Sequence, residues 1–514
     1  MVVWGWLACS FFTIITGCVM AEICSTYPTA GSVYAWAGQL TSPRWGPLSA
    51  YVCGWFNFLG NAAGDAAFAF GFANIIAGAW DIANIDAEGY EPLGLGAQVG
   101  IAILMCFVYT GMNLLRTDIQ GYINTFAMFF QLVTTVVLFV AVASLGSGAS
   151  GKAPDSFVWG TFYNDTGFSG PGMELYVGLL GLLMSLFSFA GYEAGAHTAE
   201  ETVGASRAAP YGIIGTCVAV ATCGLCYILS LLYAIPFAGV AITEGMADPA
   251  SSEFVSEAAA DYVGTDLGIF TVYIDGRTAN PVTDIFLHVG GKAGALGLTA
   301  LVLINLFFAG YASLTVTSRI AYAMARDGAL PYSTWMARVW PSNKCPANSC
   351  YTVLLIDVLL LLLPLTTMGA DNGPLAFSAV TGLTCIGFQI SYAIPCWQRA
   401  VLGSAFPKAQ VHMGRLSVPM AYVAAGFLTS TSFIFLFQTA FPASPENVNY
   451  VCVVVAGTAL LAAGYWFAVG RHKYAGPLRA ANDWYVAPPG GGAKGAPAAA
   501  DAPPATVVAA EDPK

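Results

Sequence analysis

The stretch of this 514-residue chain most able to do chemistry is Phe187-Ser188-Phe189-Ala190-Gly191-Tyr192-Glu193-Ala194-Gly195-Ala196-His197-Thr198-Ala199-Glu200-Glu201-Thr202. It sets one carboxylate, Glu193, between two glycines at the end of an apolar run. Gly191 and Gly195 lower the cost of unwinding a helix. An unwound turn frees backbone carbonyls that can bind an ammonium group, while the amides of the next half-helix can meet an anion. The structural alternative is a glycine-packed helix pair. Other polar residues also interrupt apolar runs. Asn57, Asn61 and Asp65 recur at i, i+4 and i+8, a spacing that places them on one helix face. Asn305 precedes Ser313, Thr315, Thr317 and Ser318. Hydroxyls of this kind can coordinate a cation, although they more often bond back to the carbonyls of the preceding turn.

Three familiar patterns fail on context. Gly146 to Lys152 has phosphate-loop spacing, but Ala153 stands where a magnesium-holding Ser or Thr is needed. Cys223 and Cys226 have redox-pair spacing inside an apolar run, away from thiol exchange partners. The histidines His197, His288, His412 and His472 are too scattered to ligate zinc. No nucleophile and base occur together at membrane depth, so an enzyme is not expected.

The elements that position these residues follow from composition. Hydrophobic residues make up 57% of the chain and charged residues 9%, against about 45–50% and about 25% in soluble domains. So little charge cannot cover a water-exposed surface, and an all-α integral membrane protein is expected. The net charge of -11 excludes a nucleic-acid surface, because phosphate neutralisation needs a basic patch. A bilayer core needs about 20 mostly apolar residues per helix. Eleven stretches qualify, near residues 2–24, 48–78, 96–115, 119–145, 174–198, 209–238, 294–320, 351–368, 375–398, 418–440 and 449–470. Placing Met1 outside leaves only Lys152, Arg277 and Lys292 of the 18 Lys+Arg on the external side, as the positive-inside rule requires. With no signal peptide to start an external end, one further helix is expected before Met1, missing through an incomplete gene model or a truncation. The transmembrane core is expected over 1–475, with an acidic external loop at 239–293 holding a short helix around Ser252–Tyr262. A cytoplasmic loop is expected at 318–349. The Pro- and Gly-rich tail 476–514 is too poor in apolar residues to bury a core, and disorder is expected there.

Phe189-Ala190-Gly191-Tyr192-Glu193 with Glu200-Glu201-Thr202 resembles the sixth-helix signature of the amino acid-polyamine-organocation transporters. Met20-Ala21-Glu22-Ile23, Tyr27 to Gly31 and Tyr34-Ala35-Trp36 resemble the end of that family's second helix and the loop after it. Ser318-Arg319 and Ala325-Arg326-Asp327-Gly328-Ala329-Leu330-Pro331 look like the loop after its eighth. Gly414-Arg415, Asn449-Tyr450 and Gly476-Pro477 are most similar to its amino acid/choline branch, which holds fungal choline and GABA permeases and plant bidirectional amino acid transporters. The resemblance runs from Met1 to about Leu478. It implies an inverted-repeat fold of twelve helices, of which this chain matches eleven, starting at the second. The family's unwound first helix, which takes the substrate carboxylate, has no counterpart here. The span Ile119 to Leu145 also lacks the fifth-helix lysine that replaces sodium in some members.

The expectation is therefore a secondary transporter of amino acids or related amines (GABA, choline, polyamine class) working by alternating access. Ser188, Phe189, Ala190, Gly191, Tyr192 and Glu193 are expected at the substrate site, with Asn57, Asn61, Asp65 and Asn305 as further pocket candidates. Glu22, Glu200, Glu201, Arg319, Arg326 and Asp327 are expected to brace the gate. No cofactor or metal is implied, a coupling proton or sodium ion is left open, and so is the oligomeric state. The plasma membrane is the expected location, with an organelle membrane as alternative. The competing reading is a non-transporting amino-acid sensor or an inactive truncated permease.

Overall fold

The computed structural model describes residues 2–87, 90–146, 153–162, 164, 166–197, 199, 202, 204–235, 280–367, 373–443 and 448–477. Glu200, Glu201, the expected helix at Ser252–Tyr262, most of the acidic loop and nearly all of the tail lie outside the described residues. Among the described residues nine helices are long and apolar enough to cross a bilayer, and two shorter apolar helices, Met173–Ser188 and Ala347–Leu363, complete the set. They occupy the eleven stretches the sequence marks out. Only helices close all their backbone hydrogen bonds within one segment, so apolar runs of this length have no other way to cross a bilayer unpaired.

The spans are α1 (Val2–Thr26), α2 (Gly46–Asn84), α3 (Leu95–Asn113) and α4 (Thr117–Gly146). The fifth, α5, is broken into Met173–Ser188 and Ala194–His197. Then come α6 (Ala205–Ala234), α7 (Pro281–Arg326), α8 (Ala347–Thr367), α9 (Gly373–Leu402), α10 (Ser417–Ile434) and α11 (Val451–Tyr465). A short helix, Ser32–Gln39, follows α1. One span departs clearly from its expected boundaries. α7 begins at Pro281 rather than near residue 294, because Asn280 caps it by accepting from the Val282 amide at 2.9 Å and Pro281 suits the first helical position. Gly291, at φ 60°, then bends the chain into the main span, so the expected external loop ends in helix.

Successive spans reverse direction, and loop contacts gather their ends. At one end the Ser25 hydroxyl donates to the Ser206 carbonyl at 2.9 Å and the Asn343 amide to Leu114 at 2.8 Å. At the other, the Trp4 indole donates to Trp159 at 3.0 Å and Lys292 pairs with Asp86 at 2.9 Å. Arg116, Arg207, Arg326 and Arg399 all fall at the first end, which is therefore the arginine-rich one.

α2 and α9 form the centre, crossing at their glycines. A Cβ on Gly387 would come within 2.6 Å of the Gly60 Cα, so the two backbones touch with no side chain between them. Small residues permit this close crossing, and dispersion between the backbones holds it. α4, α6 and α11 turn most of their apolar side chains outward.

Candidate functional site

α5 unwinds where the glycines predict. After Ser188 the amides of Phe189 and Ala190 bond three residues back, to Leu186 at 3.2 Å and Phe187 at 3.0 Å. Gly191 then takes φ 82°, a left-handed value that L side chains rarely adopt. Helix resumes only at Ala194. This break turns Glu193 into the interior, where it is 1% exposed.

Glu193 is hydrogen-bonded on two sides and has a histidine near a third. The Tyr392 hydroxyl donates to Oε2, and the Asn57 amide reaches Oε1 at 3.5 Å. His197, one helical turn on, places Nε2 at 3.9 Å from Oε1. Its Nδ1 lies 2.9 Å from the Ala30 carbonyl, which can only accept, so Nδ1 carries the hydrogen. The glycine crossing explains how two distant helices meet here: with Gly60 against Gly387, Asn57 comes within 3.4 Å of the Ser391 hydroxyl, beside Tyr392. Tyr192 and Tyr392 lie ring to ring at 5.1 Å, and Phe189 packs on Trp6 of α1 at 5.2 Å.

Next to this cluster is a cavity of about 20 Å³. Phe189, Ala190 and Tyr192 line it from α5, with Thr13 and Thr16 from α1 and Gln389 and Tyr392 from α9. That volume holds about one water, so the cavity is in a closed form too small for an amino acid.

The other sequence candidates are distributed as follows. Ser188 turns outward and bonds back to the Met184 carbonyl at 3.1 Å. Asn61 donates to the Asn57 carbonyl of its own helix at 2.8 Å. Asp65 leaves the cluster altogether and faces α7, α3 and α8. Four residues advance a helix by roughly 40°, so the i+8 position has drifted by roughly 80° from the first. The three polar residues therefore do not form one line. Asn305 is joined to Thr134 of α4 at 2.8 Å and 3.0 Å, a strut between two helices away from Glu193. The hydroxyls of Thr315, Thr317 and Ser318 bond back to carbonyls in the preceding turn, at 2.9, 3.0 and 3.0 Å.

Two polar clusters occupy the arginine-rich end. Glu22 accepts from Arg399 at 3.3 Å and from Ser417, and meets His412, which ties α1, α9 and α10 together. The Arg399 guanidinium also lies 4.2 Å from the Phe406 ring centre. Asp327 accepts from Tyr34 at 3.0 Å and from Arg326 at 3.2 Å, and Tyr474 donates to Tyr34 at 2.8 Å. Burial, then the neighbouring Tyr474 and Asp327, push the Tyr34 phenol well above its usual range, so it stays a donor. Arg319 reaches the Thr315 carbonyl at 3.3 Å.

Sequence reasoning missed Tyr392, Gln389, Arg399, His412 and Asp357. The first four carry no local signal, because they meet their partners through helix crossings. Asp357 had one: it is an acid in the middle of Val353-Leu354-Leu355-Ile356-Asp357-Val358-Leu359-Leu360.

A family model described as amino acid permease matches residues 1–458. Amino-acid permease BAT1 of Arabidopsis thaliana is 30% identical over 486 residues, covering 93% of this chain and 86% of the relative. Its homolog in Oryza sativa subsp. japonica is 28% identical over 92% of this chain and 85% of the relative. A putative amino acid/polyamine transporter of Macrophomina phaseolina is 26% identical over 88% of this chain and 90% of the relative. With a helical membrane bundle, a helix broken at a buried acid and a family match over most of its length, the chain belongs to the amino acid permease family, and it is a secondary amino acid transporter of the APC superfamily rather than an enzyme.

Proposed function

We propose that the break in α5 is where this permease reads its substrate's amine, with Glu193 as the anionic partner. One observation carries the reading: the interruption at Phe189–Glu193 buries a carboxylate whose hydrogen-bond donor, Tyr392, lines an internal cavity together with Phe189, Ala190 and Tyr192 of the break. An ionised carboxylate offers about four lone-pair sites. Tyr392 and Asn57 use two of them, which leaves acceptor capacity for an ammonium group. Phe189, Ala190, Tyr192 and Tyr392 supply the apolar and aromatic walls, and Thr13, Thr16 and Gln389 the polar contacts. Amino acids, and amines of the GABA, choline and polyamine class, share the cationic nitrogen such a site selects.

The small cavity is the closed stage of an alternating-access cycle. Opening separates Tyr192 from Tyr392 and exposes Glu193. The Glu22 and Asp327 clusters hold the arginine-rich end shut, and that end faces the cytoplasm of a cell whose plasma membrane carries the protein.

The test is uptake of radiolabelled amino acids into liposomes holding the full chain, competed with each substrate's des-amino analogue. Wild type should be inhibited by amines and not by the des-amino acid. Glu193→Gln should lose uptake at normal protein recovery, and Gly191→Leu should do the same. Equal competition by the des-amino analogue, or undiminished uptake by Glu193→Gln, would remove this assignment.

A further inference from the structure

Away from the Glu193 cluster, the interior holds a second acidic centre. Asp65 of α2 and Asp357 of α8 are 1% and 0% exposed and lie near the middle of their helices. Each is within electrostatic reach of the other. Neither oxygen of either carboxylate accepts a hydrogen bond of normal geometry. Ser313 and Thr317 of α7 present their hydroxyls toward Asp65, but neither reaches it with normal hydrogen-bond geometry, and the Thr317 hydroxyl is given to the Ser313 carbonyl at 3.0 Å. From α3, Tyr109 and Cys106 feel the Asp65 charge, and the Tyr109 hydroxyl is itself buried without a partner. α9 presents the methyl of Thr384 beside Gly64. Arg319, two residues beyond Thr317 on α7, reaches the Thr315 carbonyl at 3.3 Å. Among the described residues no Lys, Arg or His forms an ion pair with either aspartate.

Two carboxylates buried together cannot both stay ionised without a positive charge between them, because burial weakens solvation while like charges repel. We infer that Asp65 and Asp357 form a cation-binding site whose occupant is a proton shared between the two carboxylates, and that its uptake and release drive transport. The inference rests on the transport reading above. A proton supplies both the missing charge and the missing donor, whereas a hard metal ion needs a shell of oxygens and no cluster of three or more His, Cys, Asp or Glu occurs among the described residues. The chemistry is one O–H bond made to water arriving from one side and broken to water on the other. Tyr109 keeps a spare buried hydroxyl within electrostatic reach of Asp65, a donor available to the charge a departing proton leaves.

The experiment uses the full chain in liposomes and two readouts. The first is amino acid uptake with and without an inward proton gradient of about one pH unit, which can raise accumulation by up to about tenfold per proton. Wild type should respond, and Asp357→Asn should lose the response while equilibrium exchange of labelled for unlabelled substrate continues. The second is infrared difference spectroscopy between acid and alkaline buffer, which sees a protonated carboxyl without any transport. A carboxylic carbonyl band present in wild type should shift in Asp357→Asn and in Asp65→Asn and disappear when both are replaced by Asn. A band unchanged in both variants, or wild-type uptake driven by a sodium gradient and indifferent to pH, would overturn the proton site. Absence of uptake and exchange with the band intact would instead remove the transport reading and leave the proton site standing.

Discussion

The two acidic centres of this permease share α2 and little else. At Glu193 the carboxylate has a tyrosine hydroxyl, an asparagine amide and a histidine around it. Asp65 and Asp357 lie within electrostatic reach of each other, and neither carboxylate accepts a hydrogen bond of normal geometry. A bonded buried acid is fixed in position and can recognise, because its partners set its geometry. An unbonded pair is high in energy until something positive arrives. We propose that they do different work: recognition of an organic cation at the broken helix, and binding of a small transferable one between α2 and α8.

The largest expected effect separates them directly. Removing one partner of a buried, hydrogen-bonded charge costs about 2–5 kcal/mol, so Glu193→Gln should lower substrate affinity by about 100-fold or more in a binding assay. It should also lower Tm, since Tyr392 loses its charged acceptor. Gly387→Leu should rank next. Its side chain has no room against Gly60, and overpacking of this kind costs about 1–3 kcal/mol or more. Loss of folded protein in size-exclusion profiles would register it, with Glu193 misplaced in whatever survives.

Tyr392→Phe removes one hydrogen bond to a charged group, worth about 1.5–3 kcal/mol, and should weaken substrate binding by about tenfold. Asp357→Asn should move stability the other way. Alkaline buffer forces a second charge into the wild-type interior, so wild-type Tm should fall with rising pH, and the variant's Tm should stay level or higher in a thermal-shift series. The smallest effect belongs to the arginine-rich end. Tyr34→Phe removes a bond to Asp327 and should change Tm by only a few degrees, with substrate affinity intact.

Much of this was legible in the amino acids, and the exceptions have physical causes. The spans announce themselves by length and hydropathy, and the break in α5 by Gly191 beside an acid that lipid would not tolerate. Asn57, Asn61 and Asp65 were correctly seen as interior, yet read as one line. The drift of a helix with 3.6 residues per turn separates the first from the last by enough to serve two sites. Asn305, also polar at membrane depth, bonds Thr134 of α4. Tyr392 and Arg399 were not legible, because a hydroxyl or guanidinium far along the chain reaches Glu193 or Glu22 only once α9 crosses α2 and α1. Asp357 carried the same warning as Glu193 but lacked a glycine beside it to suggest a site.

The account stands most directly on one side-by-side measurement in liposomes: substrate exchange at equal pH, and uptake under a proton gradient, for Glu193→Gln and Asp357→Asn. Division of labour between the two centres predicts that Glu193→Gln loses both activities and Asp357→Asn loses only the response to the gradient. Exchange lost in both variants, or kept in Glu193→Gln, would contradict it.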